Sequence, residues 1–128
     1  MPQPSLPIVI VEDDEGMRRA MARLLKAAGY STVAFESGEA LLQAGAAEHA
    51  ACFVFDVRLP GISGFELRRQ LSPAGTGVPV IFVSAHEPPP GEPTPQIGVA
   101  AHLLKPFTRE ALLDAIERAM PTVPNEGC

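Results

Sequence analysis

The fold is decided by the segment Cys52-Phe53-Val54-Phe55-Asp56-Val57-Arg58-Leu59-Pro60-Gly61, in which an apolar run ends in a carboxylate and a Pro-Gly pair follows. A short apolar run closed by such a turn is typical of a buried strand in a parallel sheet. Asp56 therefore needs a local reason to lie at the end of this strand, because burying an unpaired charge is costly. A helix N-cap or an ion pair is one explanation, and chemistry at the carboxylate is the other.

Composition predicts a single globular domain without a membrane or nucleic-acid surface. The chain has 128 residues, of which 46% are apolar and 20% charged, and this is enough to bury a sizeable core. Its net charge of -5 and its lack of a basic run argue against binding nucleic acid. No apolar stretch approaches the roughly 18 residues of a membrane span and no secretory signal is visible, so we expect a cytoplasmic protein. Cys52 and Cys128 form neither a disulfide pattern nor a metal motif.

Strand and helix patterns alternate along the chain, which implies a parallel sheet with right-handed crossovers and helices on both faces. Apolar runs predict strands at 7–11, 31–35, 52–56, 78–84 and 101–104. Apolar residues at three- and four-residue steps predict helices at 15–28, 38–49, 65–71 and 109–120. Ser37 and Thr108 are suited to cap two of these helices. The basic residues of the first and third helices are interpreted as solvent-facing: Arg18, Arg19, Arg23, Lys26, Arg68 and Arg69.

Polar residues follow four of these strands at their carboxyl ends: Glu12, Asp13, Asp56, Ser84 and Lys105. In open α/β sheets, ligands bind beyond the carboxyl ends of the strands. Each residue alone has an ordinary explanation, as a helix cap, a turn residue or a solvated charge. Together, five of them at one edge of one sheet form a cluster that core packing does not require.

The residue types in this cluster predict phosphoryl chemistry at a magnesium site. Three clustered carboxylates repel each other unless a hard divalent cation lies among them, and oxygen-only ligands suit Mg²⁺. Lys105 adds a cation and Ser84 a hydroxyl donor, and both suit an anion. This set is suited to phosphoryl transfer onto Asp56, because an aspartyl phosphate is an established covalent intermediate.

The chain resembles two-component response-regulator receiver domains, on motifs that are specific in combination: Val11-Glu12-Asp13-Asp14, Asp56-Val57-Arg58-Leu59-Pro60-Gly61-Ile62-Ser63-Gly64, Ser84-Ala85 and Lys105-Pro106-Phe107. The similarity covers 7–120, which leaves 1–6 as an N-terminal tail and 121–128 as a C-terminal tail or the start of a linker. It implies a flavodoxin-like, doubly wound α/β fold with five parallel strands in the order 2-1-3-4-5. The loop that follows Asp56 is most similar to receivers of helix-turn-helix transcription regulators.

The resemblance implies which residues of the site bind the metal ion. Asp56 would be the phosphoacceptor and a metal ligand, and Asp13 would bind Mg²⁺ directly. Glu12 would act mostly through water, and the Arg58 backbone carbonyl would complete the protein ligands.

The resemblance also implies which residues bind the phosphoryl group and which change position when it is present. Ser84 and the Ala85 amide would hold phosphate oxygens, and Lys105, joined to Pro106 by a cis bond, would pair with the phosphoryl group. Phosphate would draw Ser84 inward, and an aromatic residue on the fifth strand would rotate into the space it leaves. His102 matches that position, where it either substitutes as a planar ring or biases the switch through its protonation.

In this family the phosphoryl group comes from a histidine kinase or a phosphotransfer protein. The receiver catalyses its own phosphorylation and slow dephosphorylation, so it acts as a switch and not as a turnover enzyme. The resemblance also implies that the domain can form a homodimer and that it reaches DNA only through an output domain outside this chain.

One segment departs from the family pattern. The fourth helix would fall on 87–98, which carries five prolines in eight residues. Because an interior proline costs about 3 kcal/mol, we expect this helix to be degraded to a proline-rich loop. Its loss would expose the sheet near Val83, Ile97 and Leu103 and change the output route; a surface loop of no consequence is the alternative.

Two further function classes are left open. A pseudo-receiver that never takes phosphate would be a protein-interaction module. A small phosphatase or a flavodoxin-like electron carrier is disfavoured, because the junction Glu12-Asp13-Asp14-Glu15-Gly16 is acidic and would repel a flavin phosphate.

Overall fold

The computed structural model describes residues 6–45, 49–75, 78–85 and 99–120, and its elements follow the predicted alternation. The strands are β1 (Ile8–Val11), β2 (Thr32–Phe35), β3 (Cys52–Asp56), β4 (Val80–Ser84) and β5 (Val99–Leu104). The helices are α1 (Glu15–Ala27), α2 (Gly38–Ala44), α3 (Gly64–Gly75) and α4 (Arg109–Ala119). The predicted proline-rich loop and, apart from Leu6, the two predicted tails lie outside the described residues.

The five strands form one parallel sheet in the order β2-β1-β3-β4-β5, which confirms the expected doubly wound topology. Strand residues alternate between two apolar clusters, one on each face of the sheet. α1 and α4 cover one face, and α2 and α3 cover the other. Burial on both faces explains why β1, β3 and β4 read as continuous apolar runs. The helix residues at these contacts are almost fully buried: Met21, Leu25, Leu41, Phe65, Leu67, Leu112 and Ile116.

Side-chain caps begin the helices at or near the predicted positions. Ser37 Oγ accepts a hydrogen bond from the Ala40 amide at 3.1 Å, and Thr108 Oγ1 accepts one from the Ala111 amide at 2.9 Å. Asp14 Oδ2 caps α1 in the same way, at 2.8 Å from the Met17 amide. Each cap satisfies an N–H group that the first helical turn leaves without a partner.

Two helix boundaries differ from the prediction. α2 ends at Ala44 and not at 49, because Gly45 takes a left-handed conformation with φ of 66° and its N–H closes the helix on the Leu41 carbonyl. α3 begins at Gly64 and runs to Gly75, four residues past the predicted end at 71. Among the described residues, no helix has both the length and the apolar character needed to cross a membrane.

The interpretation of Arg68 as solvent-facing is wrong, since only 2% of this residue is exposed. Arg68 follows Phe65 by three positions, so it shares the helix face that Phe65 presents to the sheet. Burial lowers the pKa of its guanidinium. Arg69 does face outward and pairs with Glu66 at 3.1 Å.

Cys52 gives a first testable prediction because it lies fully buried in β3. Burial raises the pKa of its thiol to about 12, and the thiolate is the reactive form. We expect native protein at pH 8 to leave Cys52 unmodified by iodoacetamide, and protein in urea to react fully, as measured by peptide mass mapping. Modification of Cys52 at equal rates in both conditions would contradict this burial.

Candidate functional site

The turn after β1 brings two acidic side chains to the carboxyl edge of the sheet. Glu12 is buried, with 1% of its side chain exposed, whereas Asp13 is exposed. Glu12 Oε2 accepts a hydrogen bond from the Asp14 amide at 3.1 Å. Burial raises the pKa of Glu12, and its hydrogen bonds from Lys105 and the Asp14 amide oppose that shift without cancelling it. Glu12 is thus a carboxylate that needs a nearby cation.

Asp56 ends β3 and has both carboxylate oxygens held. Its Oδ1 accepts a hydrogen bond from the Arg58 amide at 3.1 Å, and its Oδ2 accepts one from Lys105 Nζ at 3.0 Å. The residue is 5% exposed. Asp56 is therefore not a helix N-cap; its charge is compensated by an ion pair and a backbone amide.

Lys105, which directly follows β5, contacts both buried acids at the carboxyl edge of the sheet. Its Nζ lies 2.9 Å from Glu12 Oε1 and 3.0 Å from Asp56 Oδ2. Its backbone N–H donates to the Ser84 carbonyl at 2.7 Å, and the Lys105-Pro106 peptide bond is cis. Burial alone lowers the pKa of Lys105, but the hydrogen bonds to Glu12 and Asp56 outweigh burial and raise it. Lys105 is thus a charged counter-ion at neutral pH.

The three acids are close enough to share one cation. Glu12, Asp13 and Asp56 each offer a carboxylate oxygen, and these atoms all lie within 4.8 Å of one another. Oxygen donors at this spacing are the ligand type that magnesium prefers. The exposed Asp13 leaves one side of the cluster open to solvent, which suits an ion that keeps part of its water shell.

Ser84 and His102 meet at the next pair of strands. Ser84 is 2% exposed at the end of β4, and its Oγ lies 3.3 Å from Nε2 of His102 on β5. The exposed His102 ring lies 6.2 Å from the Phe65 ring and 6.1 Å from the Phe82 ring, measured between centroids. Ala85 is exposed directly after Ser84. The predicted switch residues Ser84 and His102 are therefore in contact, and the rings of Phe65 and Phe82 lie beside His102.

The loop between β3 and α3 is docked on the first turn of α2, a contact that the sequence did not indicate. Glu39 Oε2 accepts a hydrogen bond from the Ile62 amide at 3.0 Å. Gly61 has φ of 76° beside this carboxylate, where a Cβ atom would collide with Glu39. Gly38 allows a similarly close approach of the Ile62 side chain. Glu39 joins residues 23 positions apart, so no local pattern could have revealed it.

Arg18 also has a different role from the one predicted. Its Nη1 donates to the Glu12 carbonyl at 2.9 Å, so Arg18 is not simply a solvent-facing residue. The neighbouring Arg19 does face solvent, and it pairs with Glu15 on the same surface at 3.1 Å. The two adjacent arginines thus differ in what they touch.

A doubly wound α/β sheet with acids, a lysine and a serine at its carboxyl edge defines a class of small signalling domains. The chain belongs to the response regulator receiver domain family, which matches residues 8–117.

Relatives and solved structures agree with this assignment. The transcriptional regulatory protein FixJ of Azorhizobium caulinodans is 34% identical over 128 residues, covering 99% of this chain and 60% of FixJ. The response regulator StyR is 36% identical with a TM-score of 0.78, covering 91% of this chain and 60% of that one. A third similar structure is the receiver domain of the sensor histidine kinase PA1611 from Pseudomonas aeruginosa PAO1, which was solved with magnesium in its active site cleft. It is 25% identical with a TM-score of 0.79, and the match covers 92% of this chain and 99% of that one. The chain thus spans little more than half the length of FixJ and StyR.

Proposed function

We propose that this receiver accepts a phosphoryl group on Asp56 from a histidine kinase or a phosphotransfer protein, in a reaction that requires Mg²⁺. The observation that carries the proposal is the position of Lys105 Nζ, within 3.0 Å of oxygens of both Glu12 and Asp56. A cation held between buried acids at a solvent-facing edge is ready to exchange partners when an anionic group arrives. Core packing alone gives no reason for such a bridge.

The donor set fits magnesium. Asp13 and Asp56 would bind the ion directly, Glu12 would act mostly through water, and the Arg58 carbonyl would be the remaining protein ligand. The Arg58 amide already bonds Asp56 Oδ1, so the same peptide segment is positioned at the acceptor carboxylate. When bound, the ion supplies positive charge that stabilises the phosphoryl oxygens.

In the transfer step, a carboxylate oxygen of Asp56 forms a bond to phosphorus as the bond from phosphorus to the donor imidazole nitrogen breaks. The electron pair of that bond stays with the imidazole. Lys105 shifts from the carboxylates to a phosphoryl oxygen, and the Ser84 hydroxyl and the Ala85 amide donate to the others. These residues act by positioning and charge stabilisation, which supply most of the catalysis in phosphoryl transfer.

The output of the switch follows from the Ser84–His102 contact. A Ser84 hydroxyl that turns toward phosphate breaks its 3.3 Å contact with His102 Nε2 and frees the ring to change position. His102 lies on β5, at the surface that would meet a partner, including a second copy of the chain. DNA would be reached only through an output domain outside this chain, and the regulator would act in the cytoplasm.

The test is intact-mass analysis after incubation with Mg²⁺ and acetyl phosphate. We expect one phosphoryl adduct in the wild-type chain, loss of that adduct with EDTA, and none in Asp56→Asn. Asp114→Asn is the matched control, because Asp114 is an exposed aspartate of α4 whose carboxylate pairs with Arg118 one turn later in the helix. An unmodified wild-type chain would overturn the proposal and favour a pseudo-receiver.

A further inference from the structure

Arg18, a residue of α1, contacts the acidic turn formed by Glu12, Asp13 and Asp14. We propose that it is a positioning residue for the magnesium site. This inference rests on the proposed function, because it concerns how the Mg²⁺ ligands are held. Arg18 Nη1 donates to the Glu12 carbonyl at 2.9 Å and lies 3.5 Å from the Asp13 carbonyl. One guanidinium thus reaches the backbone of both acids that the turn contributes.

The turn needs such a tie because the sheet stops supporting it at Glu12. The Glu12 N–H donates to the Phe35 carbonyl of β2 at 3.1 Å. Beyond that bond the chain leaves the sheet, and the Glu12 carbonyl receives its hydrogen bond from Arg18. The Arg18 amide bonds the Asp14 carbonyl at 2.8 Å, so backbone and side chain of one residue hold both ends of the turn.

Holding this backbone matters most for Asp13. Glu12 is fixed by its burial and by Lys105, whereas Asp13 is exposed and depends on the backbone that carries it. Magnesium requires a nearly ideal octahedral arrangement, so a misplaced ligand weakens its binding. Residues that orient metal ligands commonly change metal affinity when they are replaced.

The electrostatic effect of Arg18 has the opposite sign to its positioning effect. A guanidinium near the acids repels a divalent cation, so losing the charge alone strengthens Mg²⁺ binding. Losing the hydrogen bonds frees the turn and weakens Mg²⁺ binding. The direction of the change therefore distinguishes a positioning residue from a nearby charge.

The experiment compares Mg²⁺ affinity in Arg18→Met and Arg19→Met by NMR titration of backbone amides. Both variants remove one charge from adjacent positions of α1, but the Arg19 guanidinium pairs with the exposed Glu15 carboxylate on the outer surface of the helix, whereas Arg18 reaches the carbonyls of the turn. We expect Arg18→Met to weaken binding about tenfold, Arg18→Lys to recover part of the loss, and Arg19→Met to bind as tightly as the wild type or more tightly. In the metal-free protein, Arg18→Met should also shift the Asp14 amide resonance, and Arg19→Met should not.

Thermal unfolding is measured for each variant, so that affinities are compared between folded proteins; if Arg18→Met does not fold, Arg18→Lys carries the comparison. Unchanged or tighter Mg²⁺ binding in the folded Arg18 variant overturns the positioning role while leaving the proposed function intact. A wild-type chain that binds no Mg²⁺ overturns the proposed function, and this inference with it.

Discussion

Replacing Lys105 with methionine should destabilise the metal-free chain and increase the stabilisation that Mg²⁺ provides. Lys105 Nζ is hydrogen-bonded to Glu12 and Asp56, whose side chains are 1% and 7% exposed. Removing the ammonium leaves two buried carboxylates facing each other. Breaking a fully buried pair costs about 3–5 kcal/mol, and the 19% exposure of Lys105 lowers our expectation to about 2–3 kcal/mol.

The pH dependence of this defect follows from Glu12. Burial raises the pKa of Glu12 above its ordinary value of 4.5, so the folded chain binds this proton more tightly than the unfolded chain does. A group with a raised pKa contributes stability at pH values below 4.5, and that contribution is lost as the pH rises through the raised pKa. Without Lys105 the pKa of Glu12 rises further. The loss in Lys105→Met should therefore be largest at neutral pH and shrink as the pH falls toward 4.5.

Urea unfolding at pH 5 and pH 7, with and without Mg²⁺, measures both effects. Lys26→Met is the control, because Lys26 is an exposed lysine in the last turn of α1, and we expect it to change the unfolding free energy by less than about 1 kcal/mol. Equal losses in the two variants would contradict the counter-ion role of Lys105. So would a loss in Lys105→Met that Mg²⁺ leaves unchanged.

Replacing Gly64 with alanine should displace Asp56 as well as lower the stability of the fold. A Cβ at Gly64 would lie 3.0 Å from the Asp56 carbonyl carbon and 3.1 Å from Val57 Cα, and these are backbone atoms that cannot move aside. The Gly64 amide also bonds the Val57 carbonyl at 2.9 Å and closes the base of the loop. We expect a loss of about 1–3 kcal/mol in unfolding free energy, together with weaker Mg²⁺ binding as Asp56 is displaced.

Gly16→Ala provides the comparison for Gly64→Ala. A Cβ at Gly16, in the first turn of α1, would meet only Asp14 Oδ2, at 3.5 Å. This contact is ordinary, and alanine favours a helix over glycine by up to about 1 kcal/mol. Gly16→Ala should thus be neutral or stabilising in urea unfolding. A Gly64→Ala chain as stable as Gly16→Ala, with unchanged Mg²⁺ affinity, would show that the loop can move away from β3.

Most helices and strands of this fold could be predicted from local sequence, because each has a sequence pattern that is typical of its element. Buried central strands are continuous apolar runs, and Ser37 and Thr108 have the side chains that cap helices. The strand order required the resemblance to a known family, because periodicity does not say which strands are neighbours. The interpretation of Arg68 as solvent-facing is wrong because a charged side chain is usually exposed, whereas its position three residues after Phe65 places it on the buried face of α3.

Part of the candidate site could also be predicted from local sequence. Five polar residues could be placed at one edge, since parallel strands bring their carboxyl ends together, and the structure does place Lys105 against Glu12 and Asp56. The contacts of Arg18 and Glu39 could not be predicted. Both depend on where a long side chain meets a backbone carbonyl or amide of another element, and residue type alone does not encode that.

The Lys105–Glu12 ion pair joins residues 93 positions apart in the sequence, and this separation affects the order in which the domain folds. Bringing such distant positions together is opposed by chain entropy until the intervening strands have paired. A nascent chain that ends before β5 already contains Glu12, Asp13 and Asp56 but lacks the lysine that neutralises them. We therefore expect the Lys105 bridge to form only when β5 joins β4, so that under the proposed function readiness for phosphoryl transfer and completion of the sheet arise in a single late folding event.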